Sequence, residues 1–204
     1  MKKLIKSLIK FFFIHLCPPI LKPNKLKSIY NNIFYKKEIK HHFEFEKEFL
    51  NRHAFINKAI SKYDNCKYLE IGVGSGDVFK SIPLSLKNKF GIDPDPYKCG
   101  NYKITSDEFF KINSSLKFDV IFIDGLHEYK QCQRDCLNSI NQLKKGGIIF
   151  FHDLLPRSFF EEKVPRRQSS WLGDVWKVGV ELANSSNLDF KQISDSSSVE
   201  LYLS

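Results

Sequence analysis

Glu70-Ile71-Gly72-Val73-Gly74-Ser75-Gly76 puts a carboxylate at the end of an apolar run and three alternating glycines directly after it. Glycines let a backbone turn sharply and approach a ligand with no Cβ in between. A helix predicted from Asp77 aims its first amides into the same crevice. Dinucleotide-binding loops read Gly-x-Gly-x-x-Gly, and the last position of that pattern is Asp77 here, whose carboxylate repels a pyrophosphate. The loop therefore suits a ligand without phosphate and with a positive centre. Asp124 with His127, and His152 with Asp153, close two later apolar runs. An imidazole exchanges a proton near neutral pH, which makes His127 the candidate general base. Asp124 and Asp153 could share a divalent cation such as Mg2+ through oxygen ligands, and either histidine could complete a transition-metal site.

These residues meet only if a parallel sheet brings the run ends together. From Cys66 onward, short β-rich runs alternate with helical segments, the pattern of a sheet with helices on both faces. Strands are predicted at 67–71, 89–93, 102–105, 118–123, 147–152, 188–193 and 198–203, the last two as an edge hairpin. Helices are predicted near 77–82, 107–112, 128–144 and 173–184. Gly146-Gly147 is expected to close the helix of 128–144 and launch Ile148-Ile149-Phe150-Phe151, apolar on both faces as in a central parallel strand. In such a sheet ligands bind at the carboxyl ends of the strands. Asp93, 23 residues past Glu70, ends the second strand where a ribose diol needs an acceptor. S-adenosylmethionine combines a ribose diol with a sulfonium and an ammonium and has no phosphate, so it fits the loop.

The motif set Glu-x-Gly-x-Gly-x-Gly, Gly91-Ile92-Asp93, Thr105-Ser106-Asp107-Glu108 and Asp124-Gly125-Leu126-His127-Glu128-Tyr129 resembles a bacterial class I methyltransferase family. Gly146-Gly147-Ile148-Ile149-Phe150-Phe151-His152-Asp153 and Gly173-Asp174-Val175-Trp176-Lys177 extend the likeness, which runs from about Tyr68 to Leu182. Its core is similar to catechol O-methyltransferase. The resemblance implies a doubly wound, Rossmann-like α/β fold with a mostly parallel seven-stranded sheet, and S-adenosylmethionine as methyl donor. It further implies that Gly72, Gly74 and Gly76 line the methionine part, that Glu70 supports the loop, and that Asp93 holds the ribose. Ser106 and Asp107 would sit beside adenine, or would instead cap the helix that follows. Asp124 would face the methionine ammonium or a metal. Metal-dependent relatives carry an amide ligand after the second aspartate, where this chain has Leu154. His127 could alternatively cap the helix of 128–144, and His152 could pack beneath the cofactor.

Charge is unevenly spread. Residues 1–60 hold 13 Lys and Arg against 4 Asp and Glu, whereas residues 61–204 hold 19 of each, so the formal charge of +9 lies wholly in the first 60 residues. The expected organisation is a basic helical extension over 1–62 and a cofactor-binding domain over 63–204. Met1–Ile20 has an uninterrupted apolar run of only Phe11 to Ile14, too short to span a bilayer. Leu4, Ile5, Leu8, Ile9 and Phe12 follow helical spacing with lysines to one side, which reads as an interfacial helix or as a helix packed on the domain. Five cysteines without a CxxC pair read as reduced thiols, hence a cytoplasmic location, with contact at the inner face of the membrane an option for the arm. Cys132 and Cys136 are expected to pack.

Oxygen methylation of a sugar, a glycan precursor or another polar small molecule is the leading expectation. A scaffold docked to a membrane or glycan-assembly complex through the basic arm is the alternative. Nucleic acid is disfavoured as acceptor, since no Asn/Asp-Pro-Pro-aromatic signature follows the fourth strand, and a nicotinamide-dependent oxidoreductase is disfavoured by Asp77. Arg157, Arg166 and Arg167 could hold an acidic group of the acceptor or lie in a solvated loop. Trp171 and Trp176 could stack on a sugar or anchor that loop.

Overall fold

The computed structural model describes residues 51–95 and 97–185, together with the backbone of 190–194 and 199–203. The amphipathic segment expected over 1–20, and most of the basic extension, lie outside the described residues. Among the described residues, no helix is long and apolar enough to cross a membrane.

Helix α1 (Arg52–Ile60) starts at Asn51, whose side chain accepts from the Ala54 N–H, and stops at Ser61. Nine residues make a marginal helix in water, so its stability comes from burying Phe55, Ile56, Ala59 and Ile60. Each of the three large side chains contributes roughly 1.5–3 kcal/mol. The chain continues through β1 (Tyr68–Ile71), α2 (Asp77–Ser81), β2 (Lys89–Ile92), α3 (Ser106–Ile112) and β3 (Phe118–Ile123). It ends in α4 (Tyr129–Gln142), β4 (Leu143–Phe151), α5 (Trp176–Ala183), β5 (Phe190–Ser194) and β6 (Val199–Leu203). The six strands form one sheet in the order β2-β1-β3-β4-β6-β5. Strands β1 to β4 run parallel, β6 is antiparallel to β4, and β5 closes the edge as a hairpin with β6.

Side chains alternate across this sheet with period two. Leu69, Ile71, Ile121, Ile123, Ile149 and Phe151 join one core, under α3, α4 and α5. Tyr68, Val120, Phe122, Ile148 and Phe150 join the other, under α1 and α2. Both faces are covered, which is why the strands read as near-continuous apolar runs.

Two expected boundaries are corrected. The strand at 102–105 reduces to a single bridge between Ile92 and Tyr102, which leaves six strands among the described residues. The Asn101 side chain takes the Gly91 N–H and the Lys89 carbonyl, and Thr105 already serves as N-cap of α3, so no room remains for a ladder. Helix α4 stops at Gln142, and Leu143 rather than Gly147 opens β4. Gly146, at φ +74, sits inside that strand near a register shift against β3, so the glycine pair accommodates a bulge rather than a helix end.

Candidate functional site

Strand register places the site. Glu70 pairs with Phe122 and Ile71 with Ile123; Phe122 pairs with Phe150 and Ile123 with Phe151. Carried one residue further, the same register sets Gly72, Asp124 and His152 side by side at the carboxyl ends of β1, β3 and β4. β1 pairs with both β2 and β3, and successive connections leave in opposite directions from this point. The crevice at such a switch point is where open α/β sheets bind ligands.

Gly72 makes the close approach possible. Its φ is +86, and a Cβ there would stand 2.0 Å from the Asp124 carbonyl oxygen. Gly74, at φ +55, differs because a Cβ there would meet nothing within 4 Å. Gly72→Ala is therefore expected to destabilise the fold by roughly 3 kcal/mol or more, since strained backbone and a backbone clash add. Gly74→Ala should cost only about 1–2 kcal/mol. Urea denaturation of the two variants checks this, and equal losses would contradict it. A Cβ on Gly76 would strike Cys99, which sets that glycine against the protein rather than against the crevice.

Two cavities meet at Gly72, Gly74 and Asp124. The first, about 420 Å³, is lined by Gly74, Asp93, Ser106, Leu126 and Asp135 among others. The second, about 520 Å³, lies beneath α1 and is lined by Arg52, His53, Glu70, Ser75 and Asp77 among others. Both fall in the size range of small-molecule sites. Four aspartates, Asp93, Asp107, Asp124 and Asp135, line the first cavity, and among the described residues no lysine or arginine does.

Asp93 is fixed by two backbone groups, its carboxylate accepting from the Gly74 and Asp95 N–H groups at 2.9 and 3.0 Å. Thr105, not Ser106 or Asp107, caps α3 and forms a capping box with Glu108. Ser106 is thereby released to donate to Asp135 at 2.6 Å. Asp107 stands at the rim, paired with Arg134 at 3.4 Å. Glu70 lies inward beneath the loop, 2 % exposed, and accepts from the Tyr68 hydroxyl at 2.7 Å. Burial, opposed by that hydrogen bond, pushes its carboxyl up to about 8.

Asp124 gathers the cations. Its Oδ1 lies 3.3 Å from His127 Nε2 and 3.1 Å from His152 Nδ1, and its Oδ2 lies 3.8 Å from Arg52. Burial opposes its charge, but the two imidazoles hold the carboxyl at about 2. His152 is also 3.3 Å from Asp153. Burial works against its protonation, yet the two carboxylates raise it to about 10. His127 Nδ1 donates to the Trp171 carbonyl at 3.1 Å and lies 3.6 Å from Asp153. With acceptors at both ring nitrogens, it too is raised above its ordinary 6.5, against the opposing effect of burial.

The expected Mg2+ site between Asp124 and Asp153 does not fit this arrangement. The imidazoles occupy the space between the carboxylates, Leu154 is buried, and no group of three or more His, Cys, Asp or Glu among the described residues is placed to hold a metal. Cys132 and Cys136 are buried and free, as packing residues would be, and burial raises both thiols.

The loop after β4 is pinned over His127. The two rings are 5.5 Å apart, the Trp171 indole donates to the Lys163 carbonyl, and a Cβ on Gly173 would overlap the His127 carbonyl. Trp171 thus anchors the loop, and Arg166 is spent on the Gln168 and Ser169 carbonyls. Helix α4 has no side-chain cap from Glu128 or His127; its first N–H donates to Asp174. Arg52, Gln131 and Asp135 are not singled out by the sequence, and Asp174 stands there only as part of a motif, without a role. A signal existed for Asp135, which shares a helical stripe with Cys132, Cys136 and Ser139, a carboxylate on a core-facing face.

Residues 69–154 match the model of a family described as a methyltransferase domain. Over these residues the chain is similar to a methyltransferase domain. The fold is similar to an O-methyltransferase from Bacillus cereus solved with S-adenosylhomocysteine, with a TM-score of 0.56 at 12% identity over 100% of this chain and 99% of that one. A provisionally assigned O-methyltransferase from Klebsiella pneumoniae gives 0.55 at 11% identity, covering 97% and 95%. A provisionally assigned caffeoyl-CoA O-methyltransferase from Staphylococcus aureus gives 0.51 at 14% identity, covering 98% and 99%. No curated protein matches this sequence. The donor set suits the cofactor: an aspartate for a ribose diol, an open glycine, and carboxylates without a phosphate-binding cation in the first cavity.

Proposed function

We propose that this chain is an S-adenosylmethionine-dependent methyltransferase that acts on a hydroxyl oxygen of a polar small molecule, such as a sugar or glycan precursor. The observation that carries the reading is His127, whose ring nitrogens meet Asp153 and Asp124, the latter a residue that both cavities share. A hydroxyl nucleophile must lose its proton during transfer, and an imidazole there can take it. The Bacillus cereus neighbour is an O-methyltransferase by name, and that chemistry is carried over as part of the proposal.

When bound, S-adenosylmethionine supplies an electrophilic methyl group on a sulfonium. Gly72 and Gly74 would let the backbone lie against it, Asp93 would accept from the ribose hydroxyls, and Asp124 would hold its cationic end. Arg52, across the second cavity, offers a cation for the amino-acid carboxylate. A cation held in the cavity would share Asp124 with the imidazoles, and the His127 proton would then be held less tightly. His127 Nε2 becomes the base, and Trp171 keeps the ring oriented through Nδ1.

Incubation with labelled S-adenosylmethionine and a panel of sugars, nucleotide-sugars and phenols, with and without magnesium and a chelator, tests the proposal. Transfer to nitrogen acceptors alone would remove it. His127→Gln is expected to slow turnover about 100- to 10,000-fold while changing cofactor affinity little. In the unsubstituted enzyme kcat/KM should rise with pH through a pKa above 6.5, because the raised imidazole must first lose its proton. Persistence of that rising limb in the variant would take His127 out of the mechanism.

A further inference from the structure

No helix or strand forms between Phe151 and Trp176, and a connection of that length without secondary structure is usually functional in a compact domain. One residue ties it at both ends. Glu161 is buried, 9 % exposed, and its carboxylate accepts from two parts of the loop, Oε2 from the Arg157 N–H at 2.8 Å and Oε1 from the Ser170 hydroxyl at 2.9 Å. Its backbone repeats the tie. The N–H donates to the Ser158 carbonyl at 3.0 Å, and the carbonyl accepts from the Leu172 and Gly173 N–H groups, each at 2.9 Å. Entry and exit of the loop therefore close on a single side chain and its peptide groups.

The exit side of this clamp meets His127. Trp171 stands between Ser170 and Leu172, both bonded to Glu161, and its carbonyl accepts from His127 Nδ1 at 3.1 Å. Gly173, also held by Glu161, lies so near the His127 carbonyl that a Cβ would stand 1.6 Å from it. Asp153 is farther from Nδ1, at 3.6 Å, beyond a hydrogen bond. A carbonyl oxygen only accepts, so Trp171 keeps a proton on Nδ1 and leaves Nε2 as the nitrogen that exchanges. Among the described residues, none from this loop lines either cavity, so the clamp acts on the histidine and not on the cofactor crevice.

We propose that Glu161 is a positioning residue for methyl transfer: by clamping the loop after β4 it holds the Trp171 carbonyl on His127 Nδ1 and so keeps Nε2 free to take the acceptor proton. The assignment rests on the reading of His127 as the base. A carboxylate suits the task because it accepts at both oxygens at once. Glutamine can bridge the same groups, its oxygen accepting from the Arg157 N–H and its amide donating to the Ser170 oxygen. Alanine cannot.

Glu161→Ala, Glu161→Gln and Ser170→Ala in the full chain are compared by turnover on an acceptor from the panel of sugars, nucleotide-sugars and phenols, by calorimetry with S-adenosylhomocysteine, and by NMR of the imidazole N–H protons. Glu161→Ala should lower kcat about 100-fold, the effect of a catalytic group displaced from afar, and leave S-adenosylhomocysteine affinity unchanged. The His127 Nδ1–H signal should be lost to exchange with water, while that of His152, held by Asp124 and Asp153, stays. Glu161→Gln should keep the signal and restore turnover to within about 3-fold of the native protein. Ser170→Ala removes one tie at an exposed position and should lower kcat about 2- to 10-fold, which decides the matter if Glu161→Ala does not fold. Turnover that survives these variants, falls with the His127 signal intact, or falls together with S-adenosylhomocysteine affinity overturns the assignment alone. If no acceptor is methylated, or His127→Gln keeps native turnover, the base reading fails and the assignment with it.

Discussion

Asp124→Asn is expected to weaken S-adenosylmethionine binding about 100-fold and to destabilise the protein by roughly 3 kcal/mol at pH 7. Asn keeps the shape and removes the charge. His127, His152 and Arg52 all converge on this carboxylate, and Asp124 alone borders both cavities from the end of β3. Breaking one partner of a partly buried ionic cluster costs about 3–5 kcal/mol because the remaining charges are left without compensation. The sign with pH follows from His152. Its native value of about 10 lies above its ordinary 6.5, so its stabilisation is complete below 6.5 and is lost as the pH rises through 10. Asp124 works the other way: its contribution is complete above 3.8 and is lost as the pH falls through about 2. Proton NMR of the histidine rings separates this cluster from a merely steric role. In the native protein His152 stays charged at pH 8, and in the Asn variant its titration should fall towards or below 6.5. An unchanged titration curve would show that Asp124 does not hold the imidazoles.

Glu70→Gln should stabilise the protein, and by an amount that grows with pH. The native carboxyl sits near 8 and its ordinary value is 4.5, so the folded state holds this proton more tightly than the unfolded chain. Stability from that proton is complete below 4.5 and is lost as the pH rises through 8, at about 1.4 kcal/mol for each unit between. Over the window the loss is on the order of 5 kcal/mol. Gln preserves the acceptor for the Tyr68 hydroxyl and has no proton to lose, so its contribution is flat. Urea denaturation at pH 5 and pH 8 should show a gap between variant and parent that widens by several kcal/mol. His152 titrates in both proteins, so its part of the pH dependence cancels from the gap. A constant gap would mean that Glu70 is ionised in the native state and that a cation compensates it.

Periodicity carried the reading of the fold a long way. Four parallel strands, the closing hairpin and the helices between them follow from short apolar or alternating runs punctuated by glycines and capping residues. Errors fell where side chains compete with backbone. Asn101 fills the ladder that 102–104 would have made, and Thr105 takes the cap that Ser106 and Asp107 could equally have supplied. Nothing in local spacing ranks Thr105 above Ser106; only the buried Asp135, 29 residues away and facing Ser106, decides it.

The sequence by itself determined the glycine loop, the acidic ends of β1, β2 and β3, and the His152-Asp153 pair that ends β4, because these are properties of residue type and of position within a strand. Whether Asp124 and Asp153 hold a metal or imidazoles was decided only in three dimensions. Parallel register brings His152 beside Asp124, and the loop anchored by Trp171 presses His127 between Asp124 and Asp153. Distances of 3 to 4 Å between groups 28 to 48 residues apart are set by strand pairing and loop packing, which no local pattern encodes. The glycine loop was legible as a ligand cradle, but the division of its glycines was not. Gly72 lies against Asp124, Gly76 against Cys99, and Gly74 is left facing open space, because each is defined by what stands opposite its missing Cβ.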